Sequence, residues 1–181
     1  MNITTAEPTQ KSSKAISVWL VDDSQNIRSA LKELLALHDN VRCTAEFHSP
    51  NAVLSALASR PGPDAILLDI QMGAANGLDA IRPIKALSRE TQVVMFTTCY
   101  DSHSKQRALL NGASDFLVKS SPLEKIIATL QHTTQNPAPH LKLRRTPPAP
   151  VASHSRRRLW LDNCLELFSS RRRSPAQAVR G

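Results

Sequence analysis

Glycine and cysteine are scarce in this chain, and long apolar runs are missing. Five glycines occur in 181 residues and none forms a phosphate-cradling loop, which argues against nucleotide-binding enzymes of that type. Cys43, Cys99 and Cys164 are odd in number and scattered, so neither a disulfide framework nor a zinc knuckle is expected. Six histidines are equally dispersed and show no ligand pattern. No apolar segment approaches the length of a membrane span. The opening "MNITTAEPTQKSSK" has no apolar core of a secretory signal. These absences point to a cytoplasmic protein without membrane contact.

What is present is enough for one folded domain. The hydrophobic fraction of 41% is ordinary for a chain with a core, and the length allows a domain with about forty residues to spare. The net charge of +8 is unevenly placed. Residues 1–137 carry 13 basic and 13 acidic side chains, whereas residues 138–181 carry ten basic ones against Asp162 and Glu166. A neutral body with a basic tail is two objects rather than one basic domain.

The body alternates two kinds of segment. Strand-like runs stand at 15–21, 41–48, 64–70, 91–98 and 114–119. Between them lie helical patterns. Ser24 is placed to cap a helix in which Ile27, Leu31, Leu34 and Leu35 share a face. A short helix carries Val53, Leu54 and Leu57. A third spans about 77–88, where Pro83 implies either a late start or a kink. A fourth starts at Ser102 and is stopped by Gly112. A fifth opens near Pro122 and carries Leu123, Ile126, Ile127 and Leu130. Five βα units in strict alternation predict a parallel sheet with helices on both faces. The expected domains are a disordered 1–14, a folded 15–135 and a basic, Pro/Arg-rich, disordered tail at 136–181.

Ligands of parallel α/β sheets bind beyond the carboxyl ends of the strands. Asp22 and Asp23 close the first strand in "SVWLVDDSQNI", Asp69 the third, Thr97 the fourth and Lys119 the fifth. Singly, each has an ordinary explanation as a helix cap or a solvated loop residue. Together they place three acids, a hydroxyl and a lysine at one sheet edge. Clustered carboxylates repel, and a hard divalent cation such as Mg2+ offsets that repulsion while attracting phosphate oxygens. A carboxylate there can attack phosphorus, with the lysine and hydroxyl neutralising the transferred group.

"VWLVDDS", "AILLDIQM", "NGLDAI", "VVMFTT" and "GASDFLVKSSP" give residues 15–135 a specific likeness. The segment resembles a receiver domain of the two-component response regulators, in flavour nearest to the NarL/LuxR-type transcription regulators. The resemblance implies a doubly wound, flavodoxin/CheY-like five-stranded parallel sheet of order 2-1-3-4-5. It implies Asp69 as the phosphoacceptor, fed by a sensor histidine kinase or a phosphotransfer protein. Asp23, Asp69 and the backbone carbonyl of Gln71 would bind Mg2+, with Asp22 helping directly or through water. Thr97 and Lys119 would hold the phosphoryl group. Phe116 matches the aromatic switch position, although plain core packing explains it as well. Such a domain phosphorylates and dephosphorylates itself but turns over no external substrate. A homodimer through the fourth helix, fifth strand and fifth helix is a further expectation.

Two residues depart from the family pattern. Gly73 stands where proline is usual after the Met of "DIQM", adding backbone freedom beside Asp69. Ser120 follows Lys119 where the family often has a cis proline, so the bond is either trans or held cis by its surroundings.

The tail holds no paired helices with a recognition-helix pattern. Arg156–Arg158 and Arg171–Arg173 could contact nucleic-acid phosphates, which keeps open a DNA-binding regulator acting through the tail. A solvated disordered tail is the plainer expectation. The composition break near 136 is also what out-of-frame translation of a GC-rich gene would produce. A Mg2+-dependent phosphatase of the same fold is disfavoured, because position 71 is Gln where those enzymes carry a second Asp.

Overall fold

The central strands are mostly apolar because both of their faces are covered. A computed structural model describes residues 14–98 and 100–137. In chain order these form β1 (Ile16–Val21), α1 (Gln25–Leu35), β2 (Val41–Phe47), α2 (Pro50–Ser59) and β3 (Ala65–Leu68). A small hairpin follows, β4 (Gln71–Met72) and β5 (Ala75–Asn76), then α3 (Gly77–Leu87) and β6 (Gln92–Thr97). The remainder is α4 (Ser102–Leu110), β7 (Asp115–Val118) and α5 (Leu123–Gln135).

The main sheet has five strands in the order β2-β1-β3-β6-β7, all paired in parallel. Leaving out the hairpin, this is the expected 2-1-3-4-5. Alternate side chains serve opposite faces. Trp19, Ile66, Met95 and Phe116 join a core under α2, α3 and α4. Val18, Leu67, Val94 and Leu117 join a second core under α1 and α5, with Leu35 and Leu130 fully buried. Each large aliphatic side chain so buried contributes roughly 1.5–3 kcal/mol relative to exposure.

Local sequence chemistry sets the helix ends. Side chains of Ser24, Ser49, Asn76 and Asp101 cap α1 to α4 by accepting backbone N–H groups. Gly112, at φ +100°, ends α4. Its N–H donates to Leu109 and that of Ala113 to Ala108, the paired bonds of a left-handed helix stop.

Four expectations needed the structure. In α1 only Leu31 and Leu35 turn to the core, while Ile27 and Leu34 lie 37% and 43% exposed. The apolar face is therefore narrower than the spacing implied. Helix α3 starts at Gly77 and continues through Pro83, so a late start is excluded. The Lys119–Ser120 bond is trans, since the described residues contain no cis peptide. The stretch expected as one strand over 64–70 ends at Leu68, and a hairpin succeeds it. Gly73 has φ +57° at the first of the two loop positions, where primed turns demand positive φ. Its freedom is thus used by a tight turn. Cys99, residues 1–13 and the basic tail from 138 lie outside the described residues.

Candidate functional site

Strand register assembles the site. Val21 pairs with Leu68, so Asp22 and Asp69 leave adjacent strands side by side. The Asp69 N–H donates to the Val21 carbonyl at 2.9 Å. On the other flank Thr97 pairs with Val118, and the Lys119 N–H donates to the Thr97 carbonyl at 2.7 Å. Residues almost a hundred positions apart thereby share one sheet edge.

Asp22 and Asp69 are buried, at 4% and 5% exposure, and Thr97 at the end of β6 is buried too. Asp23 is exposed. One carboxylate oxygen from each of Asp22, Asp23 and Asp69 lies within 4.8 Å of the others. The Lys119 ammonium meets Asp22 Oδ2 at 2.6 Å and Asp69 Oδ2 at 2.8 Å. Asp69 Oδ1 accepts the Ile70 N–H at 2.7 Å, and Asp22 Oδ1 accepts the Ser24 N–H at 2.9 Å. Asp22 Oδ2 is buried without an aligned hydrogen bond. Its one close partner is the Lys119 ammonium, and beside two more carboxylates it forms a hard-donor set suited to a divalent cation.

Burial pushes the Asp69 carboxyl above its ordinary range, and the Asp22 charge adds to the rise, against the opposing pull of Lys119. Burial works to lower Lys119, but its two carboxylate partners together hold it above the ordinary lysine value. Lys119 therefore stays a cation between two acids.

Of the other expected residues, Gln71 opens β4, exposed and two positions after Asp69. Phe116 is buried in the core under α3 and α4, and the Tyr100 ring meets it edge-on at 5.9 Å between centroids. Two residues escaped the sequence reading. Gly77 approaches Asp69 so closely that a Cβ there would stand 1.9 Å from the Asp69 carbonyl oxygen. Arg28 Nη1 donates to the Asp22 carbonyl at 2.7 Å. A cation near a helix N-terminus opposes the helix dipole, and that local anomaly was the available signal for Arg28.

Residues 18–131 match the response regulator receiver domain family. The chain belongs to this family. Over 114 residues the receiver is 35% identical to the DNA-binding transcriptional regulator NtrC of Salmonella typhimurium. That alignment covers 63% of this chain and 24% of NtrC, so the chain spans about a quarter of that relative's length. The receiver superposes on the signal receiver domain of the response regulator NarL from Mycobacterium tuberculosis with a TM-score of 0.63 at 23% identity. The match takes in 68% of this chain and 98% of that one. A response regulator from Burkholderia pseudomallei, solved with a phosphorylated aspartic acid, a calcium ion and citrate, gives 0.59 at 21%, covering 66% and 69%. At these identities the structures establish the fold, a receiver fold.

Proposed function

We propose that Asp69 accepts a phosphoryl group from a phosphohistidine donor and that the chain works as a phosphorylation-controlled switch. The observation that carries the reading is the buried Asp69 carboxylate, held by Ile70 on one oxygen and facing Lys119 on the other, inside a three-acid cluster. An Asp69 oxygen attacks phosphorus as the bond from phosphorus to the donor imidazole nitrogen breaks. The electron pair leaves with the imidazole, and the product is an acyl phosphate. Bound Mg2+, held by Asp23, Asp69 and the Gln71 carbonyl with Asp22 assisting, supplies charge neutralisation of the phosphoryl oxygens. Lys119 and the Thr97 hydroxyl take the remaining oxygens. Phe116, already turned into the core against Tyr100, reports the change toward α4, β7 and α5.

Sensor kinase or phosphotransfer protein is the donor class that suits this chemistry. Exposed Ile27, in the first turn of α1 just after exposed Asp23, offers it an apolar contact beside the site. Exposed Tyr100, Leu109 and Leu110 suit a homodimer through the face of α4, β7 and α5. The folded unit is taken as 15–135, and a nucleic-acid contact by the basic tail is the secondary reading, since all of the net charge lies there. The described residues contain no helix long and apolar enough to cross a membrane.

With Mg2+ and a small acyl-phosphate donor, wild type is expected to gain one phosphoryl group by intact mass and Asp69→Asn none. Equal gain by both would refute the assignment of the site.

A further inference from the structure

We infer that Arg28 is a positioning residue for the acidic cluster, fixing Asp22 so that a single carboxylate oxygen remains for the metal; this rests on the receiver-site reading above. Four polar groups of Asp22 decide where it points. Its N–H donates to the Phe47 carbonyl at 3.1 Å. Its carbonyl accepts Arg28 Nη1 at 2.7 Å. Its Oδ1 accepts the Ser24 N–H at 2.9 Å. Only Oδ2 is left, in ionic contact with Lys119 and without an aligned hydrogen bond. Three tethers therefore lock both the backbone and the side chain, and the fourth group faces the site.

Arg28 gains little locally from being there. Its side chain is only 14% exposed, and burying a guanidinium carries a desolvation cost. Its Nε has no hydrogen-bond partner, and Glu46 Oε2, the nearest counter-charge, is 3.8 Å away. The other Glu46 oxygen is engaged by Lys32 at 2.7 Å. The cation also opposes the dipole of α1 at the end where Arg28 stands. What the arrangement does secure is the Asp22 carbonyl, which stands past the end of β1. A guanidinium spans that distance from α1 and reaches the carbonyl with a directed donor. Groups that orient metal ligands from behind typically change metal affinity about 10–100-fold when removed.

The test is a Mg2+ titration of the full 181-residue chain, 15N-labelled, followed by backbone amide shifts, with thermal unfolding of each variant alongside. Arg28→Met is expected to weaken Mg2+ binding about 10-fold, and Arg28→Lys to recover part of the loss. The Ser24 amide, bonded to Asp22 Oδ1, should shift in the apo Arg28→Met protein. Should Arg28→Met not fold, Arg28→Gln, too short to reach the carbonyl, decides on the same criterion. A lower unfolding temperature with unchanged Mg2+ affinity would overturn the inference, leaving Arg28 a purely structural side chain. Wild type that fails to bind Mg2+, or Asp23→Asn that binds it equally well, would instead refute the receiver-site reading itself.

Discussion

Lys119 touches two buried carboxylates at once, and that double contact decides what its loss does. Without the ammonium, Asp22 and Asp69 repel each other across a poorly solvated gap, and in the proposed reaction the incoming phosphoryl oxygens would lose a cation. Lys119→Met is therefore expected to slow phosphorylation by a small donor about 100-fold, a typical loss for one transition-state donor. Single-turnover mass measurements check this; a rate within twofold of wild type would remove Lys119 from the chemistry. At the opposite end of the sheet Asp64 accepts both the N–H and the hydroxyl of Ser17, at 2.8 and 2.6 Å. Burial alone would raise this carboxyl, but the Ser17 bonds outweigh it and hold Asp64 below the ordinary carboxylate range. The stabilisation is thus fully present above about pH 4 and is lost as pH falls through the lowered value. Asp64→Asn is expected to cost about 1 kcal/mol at pH 7, given the partial exposure. Urea unfolding of the two proteins should show that gap narrowing near pH 3. The carboxylates, Thr97 and Lys119 were legible in the sequence because each is a polar residue ending an apolar run. Arg28 was not, because its partner is a backbone carbonyl, which no side-chain pattern encodes.

Two glycines flank the loop beyond Asp69 for different physical reasons. Gly73 needs a left-handed backbone, but a methyl group added there would meet nothing within 4 Å, so Gly73→Ala should cost about 1–2 kcal/mol through the torsion alone. Gly77→Ala instead drives a Cβ into the Asp69 carbonyl, where only backbone can give way. It should cost up to about 3 kcal/mol and slow phosphorylation, whereas Gly73→Ala leaves the rate near wild type. Matched effects on phosphorylation would contradict this division. Helix α4 is the weakest attachment. Ala108 is its one buried side chain; Arg107 pairs with Asp79 on α3, and Asn111 donates to the Leu78 carbonyl. Exposed ion pairs add at most about 1 kcal/mol, so amides of α4 should exchange with deuterium before those of α3 and α5. The central strands were legible from their largely apolar runs, and β2 only as a mixed segment in the βα alternation. The hairpin was not, since two-residue strands carry too few side chains to set a period. The outward turn of Ile27 and Leu34 was hidden too, because helical spacing alone does not say how wide the covered stripe is.

At the scale of the molecule, topology converts a scattered set of residues into one site. The order β2-β1-β3-β6-β7 places β1 beside β3, which brings Asp22 and Asp23 to Asp69, and β7 beside β6, which brings Lys119 to Thr97. The order was legible only as a family likeness, since apolar alternation implies a parallel sheet but several strand orders satisfy it. The central claim is that this edge carries one phosphoacceptor, and chemical trapping tests it most directly. The chain would be phosphorylated with a small acyl-phosphate donor and Mg2+, reduced with borohydride, digested and sequenced by mass spectrometry. Reduction converts an aspartyl phosphate to homoserine. Homoserine at position 69 alone is the expected result; homoserine at position 22 or 23, or a stable phosphate on serine, threonine or histidine with Asp69 unmodified, would contradict the account.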